Sequence, residues 1–138
     1  MANNKALELL KSSDVDTFNK SVKERRKKGK RALDLNDQNL GGLKLHDVDL
    51  RDARMNGCNL RKTDLKGANL SHAGLRHADL RGADLRGANL SEANLTGTVL
   101  GGALLTYASL SGAILREVSL SEAYLAGAVA GEKATHTM

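Results

Sequence analysis

Gly82-Ala83-Asp84-Leu85-Arg86-Gly87-Ala88-Asn89-Leu90-Ser91-Glu92-Ala93-Asn94-Leu95 is the stretch on which the fold turns. Within it a Leu returns every fifth residue, Ala stands two places before each Leu, and an Asp or Asn separates the two. Working outward, the Leu column runs from Leu35 to Leu125 over nineteen positions, eighteen of them Leu and the other Met55. The companion series runs from Leu33 to Ala128 over twenty positions, twelve of them Ala. A period of five fits neither the 3.6 of a helix nor the alternation of a long strand. Inside one unit, however, Ala-x-Leu is an alternation: both apolar side chains face one way and the polar residue between them faces out. The next two residues, often ending in Gly, have to turn the chain, and Gly accepts positive φ there. Repetition then winds a coil around the Leu and Ala columns, with backbone groups paired between coils at about 4.8 Å. The period alone leaves open how many units close one coil.

Composition agrees with a narrow, regular interior. Of 138 residues 41% are apolar but only 2% aromatic, namely Phe18, Tyr107 and Tyr124, with 14 Gly and no Pro or Trp. An irregular core of this size uses large rings to fill space, so a conventional enzyme domain is disfavoured. The missing Pro excludes a collagen and the apolar fraction excludes a disordered chain. No run of 18 or more apolar residues occurs, so no transmembrane helix is expected. Met1-Ala2-Asn3-Asn4-Lys5-Ala6-Leu7-Glu8 lacks the apolar region of a secretory signal. The single Cys58 cannot form an internal disulfide and suits a cytoplasmic location.

The run 82–95 resembles the pentapeptide repeat family, whose unit is A(D/N)LXX, and the match extends over about residues 33–130. The resemblance implies an all-β solenoid, a right-handed quadrilateral β-helix with four units per coil. Nineteen units then make nearly five coils, a rod about 23 Å tall at the strand spacing above. The chain is expected to divide into a basic helical cap over 1–32, the β-helix over 33–130 and a polar tail over 131–138. A solenoid leaves an open core at each end. For the first end, Leu7, Leu9 and Leu10 form an apolar patch, Ser12-Ser13-Asp14 offers N-caps, and Val15, Phe18 and Val22 follow helical spacing. Two short helices with their apolar stripe folded on the first coil are expected. Residues 14–19 are also similar to lead-in segments of some bacterial family members.

Charge is unevenly placed. Residues 1–32 hold ten Lys/Arg and four Asp/Glu, a net +6, whereas 33–128 hold ten and eleven, a net −1. The cations Arg25, Arg26, Lys27, Lys28, Lys30 and Arg31 form a candidate surface for phosphates of nucleic acid or for an anionic membrane surface. Their alternative role is the solvated C-terminal end of a helix, where cations complement the dipole. With four units per coil, Arg61 stacks with Arg81, and Lys66 with Arg86 and His46, with Lys62 at the corner between them. These two columns and their corner extend the candidate basic partner surface. At the other end the outward position turns apolar, at Val99, Leu104, Ile114, Tyr124 and Val129. Residues 20 apart stack, so Leu104 and Tyr124 share a column with Tyr107 beside them, and these six residues form a candidate self-association surface.

Catalytic constellations are missing from the pattern. Cys58 occupies an inward Ala position, so a small buried core residue is expected there. His72 and His77 lie one unit apart and no histidine recurs at the 20-residue interval, so no metal site is expected. Gly82 and Gly87 have phosphate-loop spacing, but Ala88-Asn89 replaces the Lys-Ser/Thr that such a loop requires. No catalytic, metal or cofactor residues are assigned. The functional expectation is a non-enzymatic protein–protein interaction scaffold presenting flat β faces, with homodimer formation through the C-terminal coil. One alternative is nucleic-acid or anionic-surface binding through residues 23–31. A second, implied by the resemblance, is a topoisomerase-protecting DNA mimic, which the near-neutral rod disfavours.

Overall fold

The computed structural model describes residues 4–130 and the backbone of 135–137. Two helices come first, α1 (Asn4–Lys11) and α2 (Val15–Lys27). Each stops for a local reason. Ser13 (φ 59°) and Gly29 (φ 65°) adopt left-handed conformations just past the helix ends. Around them the paired bonds Asp14 N–H to Leu9 C=O with Ser13 N–H to Leu10 C=O, and Lys30 N–H to Arg25 C=O with Gly29 N–H to Arg26 C=O, absorb the last carbonyls. Asp14 starts α2 by accepting the Thr17 N–H at 3.2 Å.

From Asp34 onward the chain winds with four units per coil. Parallel bridges join residues twenty apart without interruption, from Asp34 with Arg54 to Ser109 with Val129. The ladder is built as Leu35 N–H to Arg54 C=O (2.7 Å) and Arg54 N–H to Leu33 C=O (2.8 Å), repeated upward. Four faces result, named here by their lowest outward residue: Asp34, Asn39, Lys44 and Asp49. Each of the nineteen corner residues, two after each Leu-column position, has positive φ, and ten of them are not glycine. The following residue donates back to the Leu carbonyl, as Val48 N–H does to Leu45 at 3.1 Å, which makes a type II turn. Left-handed geometry is therefore imposed by the winding, at Lys62 and His77 as well as at Gly87.

The preference for Asp or Asn at the outward position has a direct cause. In ten units its Oδ1 accepts the N–H two residues on, at 2.9–3.3 Å, satisfying a corner donor that the ladder leaves over. Where Arg54 and Gly74 break the series, the coil below supplies the acceptor. Asn36 Oδ1 takes Asn56 N–H and Asn56 Oδ1 takes Arg76 N–H, both at 2.9 Å.

Inside, Leu35 to Leu105 are sealed from solvent together with the Ala series. Cys58, Thr63 and Thr98 fit among the Ala by donating to the carbonyls of Leu35, Leu40 and Leu75 at 2.9, 2.8 and 2.7 Å. Burial pushes the Cys58 thiol up to about 11, which leaves no thiolate for nucleophilic chemistry at neutral pH. Ala6 and Leu10 of α1 and Phe18 and Val22 of α2 belong to the same buried cluster, with Leu7, Leu9 and Val15 packed against it. At the opposite end the core opens: Leu120 is half-buried and Leu125 is 41% exposed. The expected polar tail falls partly outside the described residues. Of it, β2 (Thr135–Thr137) pairs in parallel with β1 (Ile114–Arg116). That pairing has a register of 21 and not 20, an added layer on the Asp34 face that the five-residue count does not foresee.

Candidate interaction surfaces

Helix α2 crosses the base of the coil, and two side chains fix its path. The Asn19 amide donates to Asp47 C=O at 3.1 Å and accepts Asp49 N–H at 2.8 Å, the second in place of the carbonyl that a coil below would offer. Arg26 binds the Asp49 carboxylate through both guanidinium nitrogens, at 2.7 and 2.9 Å. Burial raises the Asp49 pKa, but hydrogen bonds from Arg26 and Arg51 outweigh it and hold the carboxyl at about 2. Asp14, Val15 and Asp16 consequently share the lining of one hollow with Lys44 and His46. The basic end of α2 lies against Leu33 and Asp52, where Arg25, Arg26, Lys30 and Arg31 surround a cavity of about 90 Å³.

This path separates the two halves of the candidate basic surface. Arg25, Arg26, Lys30 and Arg31 gather at the corner between the Asp49 and Asp34 faces. Arg61, Lys62, Lys66, Arg81 and Arg86 stand on the Asn39 and Lys44 faces, diagonally across the coil. The rod portion is also weaker than its residue types imply. Arg81 is chelated by Asp79 (2.9 and 2.6 Å) and Arg86 by Asp84 (2.9 and 2.7 Å). Hydrogen bonds from these arginines hold both carboxyls below their ordinary range. The unpaired cations there are Arg61, Lys62 and Lys66, among the described residues. Lys27 is 3.8 Å from Glu24 on α2, and Lys28 is exposed beyond it.

The six apolar candidates also divide. Leu104 and Tyr124 are bridged neighbours on the Lys44 face. Tyr107, 79% exposed, stands at the next corner with its ring over Gly127, and Val129, 56% exposed, follows on the Asp49 face. Those four form one continuous patch. Val99 belongs to the Asn39 face and is half-buried, while Ile114 lies on the Asp34 face, two units on from Leu104 and next to the Asp49 face. Neither shares the column of Leu104 and Tyr124. The cause is the four-unit coil itself, which sends successive outward residues to successive faces. His72 and His77 occupy neighbouring corners, and among the described residues no group of three His, Cys, Asp or Glu gathers to hold a metal.

A sequence model of pentapeptide repeats matches residues 33–67, 44–82, 63–102, 83–121 and 93–129 in overlapping segments. Such a continuous coil of five-residue units, with its outward Asp/Asn ladder, defines a repeat solenoid. The chain belongs to the pentapeptide repeat family. Among solved structures it is similar to a pentapeptide repeat protein of the Arabidopsis thaliana thylakoid lumen, at 34% identity over 71% of this chain and 65% of that one, with a TM-score of 0.58. The chain thus spans slightly less than two thirds of that protein. It is also similar to a pentapeptide repeat protein of the cyanobacterium Cyanothece 51142, at 31% identity over 75% of this chain and 84% of that one, with a TM-score of 0.43. A third is HetL of the cyanobacterium Nostoc sp. strain PCC 7120, involved in heterocyst differentiation regulation, at 32% identity over 76% and 60%, with a TM-score of 0.37. No curated protein matches the chain.

Proposed function

We propose that this protein is a non-enzymatic interaction scaffold: a right-handed quadrilateral β-helix, capped by α1 and α2, that engages protein partners through its faces. One observation carries the reading. On the Lys44 face the outward column Asp64, Asp84 is continued by Leu104 and Tyr124, and Tyr107 and Val129 extend the apolar surface round the corner. Nothing in the coil requires this change, because an outward side chain does not fill the core. Exposed apolar columns of this kind mark interaction sites. Their self-complementary, ring-bearing character favours a second copy of the chain as first partner, in a two-fold arrangement. The alternative of nucleic-acid binding has less support, because the two basic groups lie diagonally apart and Asp79 and Asp84 neutralise two of the rod's arginines.

Light scattering coupled to size exclusion tests the proposal, with wild type beside a Leu104→Asp, Tyr124→Asp variant. Dimer mass is expected for wild type and monomer mass for the variant, with circular dichroism unchanged. Monomer masses for both proteins across the accessible concentration range would remove self-association.

A further inference from the structure

The arginine that follows a unit's Leu is neutralised wherever an Asp stands two residues before it. Asp49 binds Arg51, Asp79 binds Arg81 and Asp84 binds Arg86, each through two nitrogens. In two units of the Asp34 face the acid is replaced, by Gly74 and by Ile114. Arg76 and Arg116 therefore have no ion-pair partner among the described residues. Both stand in one column with Thr96 between them, two layers or roughly 10 Å apart at the strand spacing. Neither belongs to the surfaces that charge counting along the sequence singles out.

The neighbouring corner column opens space beside them. His77 stands between Gly57 and Gly97 with its ring over Gly97, and it lines one hollow with Arg76 and Gly57 and another with Arg76 and Arg116. The upper one, about 390 Å³, is lined by Arg76, His77, Asn94, Thr96, Arg116 and Glu117 together with the exposed Ile114. Arg76 is held at its backbone by Asn56 Oδ1 at 2.9 Å. That amide lies over Gly74, where a Cβ would stand 3.1 Å from the same oxygen. Asn94 Oδ1 accepts from both the backbone N–H and the hydroxyl of Thr96, at 3.1 and 2.6 Å, which leaves its amide nitrogen as a donor at the hollow.

Building on the scaffold reading, we propose that the Asp34 face binds an extended acidic segment of a protein partner. One carboxylate lodges between the guanidiniums of Arg76 and Arg116. Guanidinium groups bind carboxylates through paired, charge-assisted hydrogen bonds, and two arginines lining one hollow select a concentrated negative charge. Glu117 on the rim and Asp37 in the lower hollow repel a continuous anion. A peptide with spaced acidic side chains suits this arrangement better than a phosphate backbone does.

Fluorescence anisotropy on the full chain tests the assignment, with end-capped hexaglutamate as probe, hexaglutamine as neutral control and a short oligothymidylate as competitor. Arg76→Gln and Arg116→Gln are each expected to weaken hexaglutamate binding about tenfold or more. Arg81→Gln and Lys30→Gln are expected to leave it within about twofold. Equal losses in all four variants would overturn the proposal. So would hexaglutamate binding no tighter than hexaglutamine, or oligothymidylate binding more tightly than the peptide. Since both arginines are exposed, circular dichroism should be unchanged in every variant. The mass measurement at Leu104 and Tyr124 is independent of this one, so failure here leaves self-association standing, and the reverse holds too.

Discussion

At the scale of single residues, Asp49 links the coil to the helices. It receives Arg26 from α2 and Arg51 from its own unit, and its own N–H goes to the Asn19 amide. Its carboxyl is held at about 2 in the folded chain, below the ordinary range of an aspartate, so the ionised form favours folding. The sign is that of a depressed carboxyl: the stabilisation is complete above about pH 4 and is lost as pH falls through 2. Its size is on the order of 2 kcal/mol. A series of urea unfolding curves from pH 5 to pH 2 should therefore show wild type losing more stability than Asp49→Asn over that window. Parallel pH profiles would contradict the assignment. Asn19 is a second such residue. Replacing it with Ala leaves the Asp47 carbonyl and the Asp49 N–H without their partner, and should cost about 1–2 kcal/mol in the same unfolding measurement at neutral pH.

At the scale of the element, the unit is a short extended piece and a left-handed corner. The inward columns and the outward polar ladder were legible in residues 82–95 because a strict period repeats the same environment at each step. The corner was only half legible. Glycine at 82 and 87 announces it, but Lys62, His72, Tyr107 and Glu117 adopt the same positive φ. Winding overrides their intrinsic preference, since the ladder bonds on both sides hold the turn. Gly87→Ala isolates that cost: nothing stands within 4 Å of the added Cβ, so the expected loss is conformational, about 1 kcal/mol. Gly97→Ala should lose more, because the His77 ring occupies the space its Cβ would take. Denaturant midpoints of the two variants give the comparison, and equal losses would mean the ring moves aside freely. What five-residue counting could not foresee is non-periodic: the docking of α2 through one amide and one guanidinium, and the 21-residue register of β2. Both depend on single side chains or on one added residue. The neutralisation of Arg81 and Arg86 was visible as Asp/Arg spacing. That Arg76 and Arg116 lack an ion-pair partner among the described residues was visible only as the absence of an acid from that spacing.

At the scale of the whole molecule, the rod is not uniform along its axis. Its base is covered by two helices and bound by hydrogen bonds, its middle is sealed, and its upper core opens to solvent from Leu120. Truncation in the middle should accordingly be expensive. Leu65→Ala is expected to lose about 2–5 kcal/mol, whereas Leu125→Ala, at 41% exposed, should lose less than about 1 kcal/mol. Unfolding free energies that were equal at the two positions would mean that the upper coil is covered in solution, as a dimer would cover it. Repeating the measurement in the Leu104→Asp, Tyr124→Asp background separates those cases.

The uniform register between coils has a mechanical consequence. Each ladder bond joins backbone groups about twenty residues apart, so the chain is wound like thread on a spool, secured at its helical base. Tension applied at residue 130 meets the least-covered turn first and peels it without loosening the turn beneath. Each detached turn releases twenty residues, a lengthening on the order of 70 Å. The molecule should therefore extend under load in regular steps from one end, with the Arg26–Asp49 clasp among the last contacts to yield.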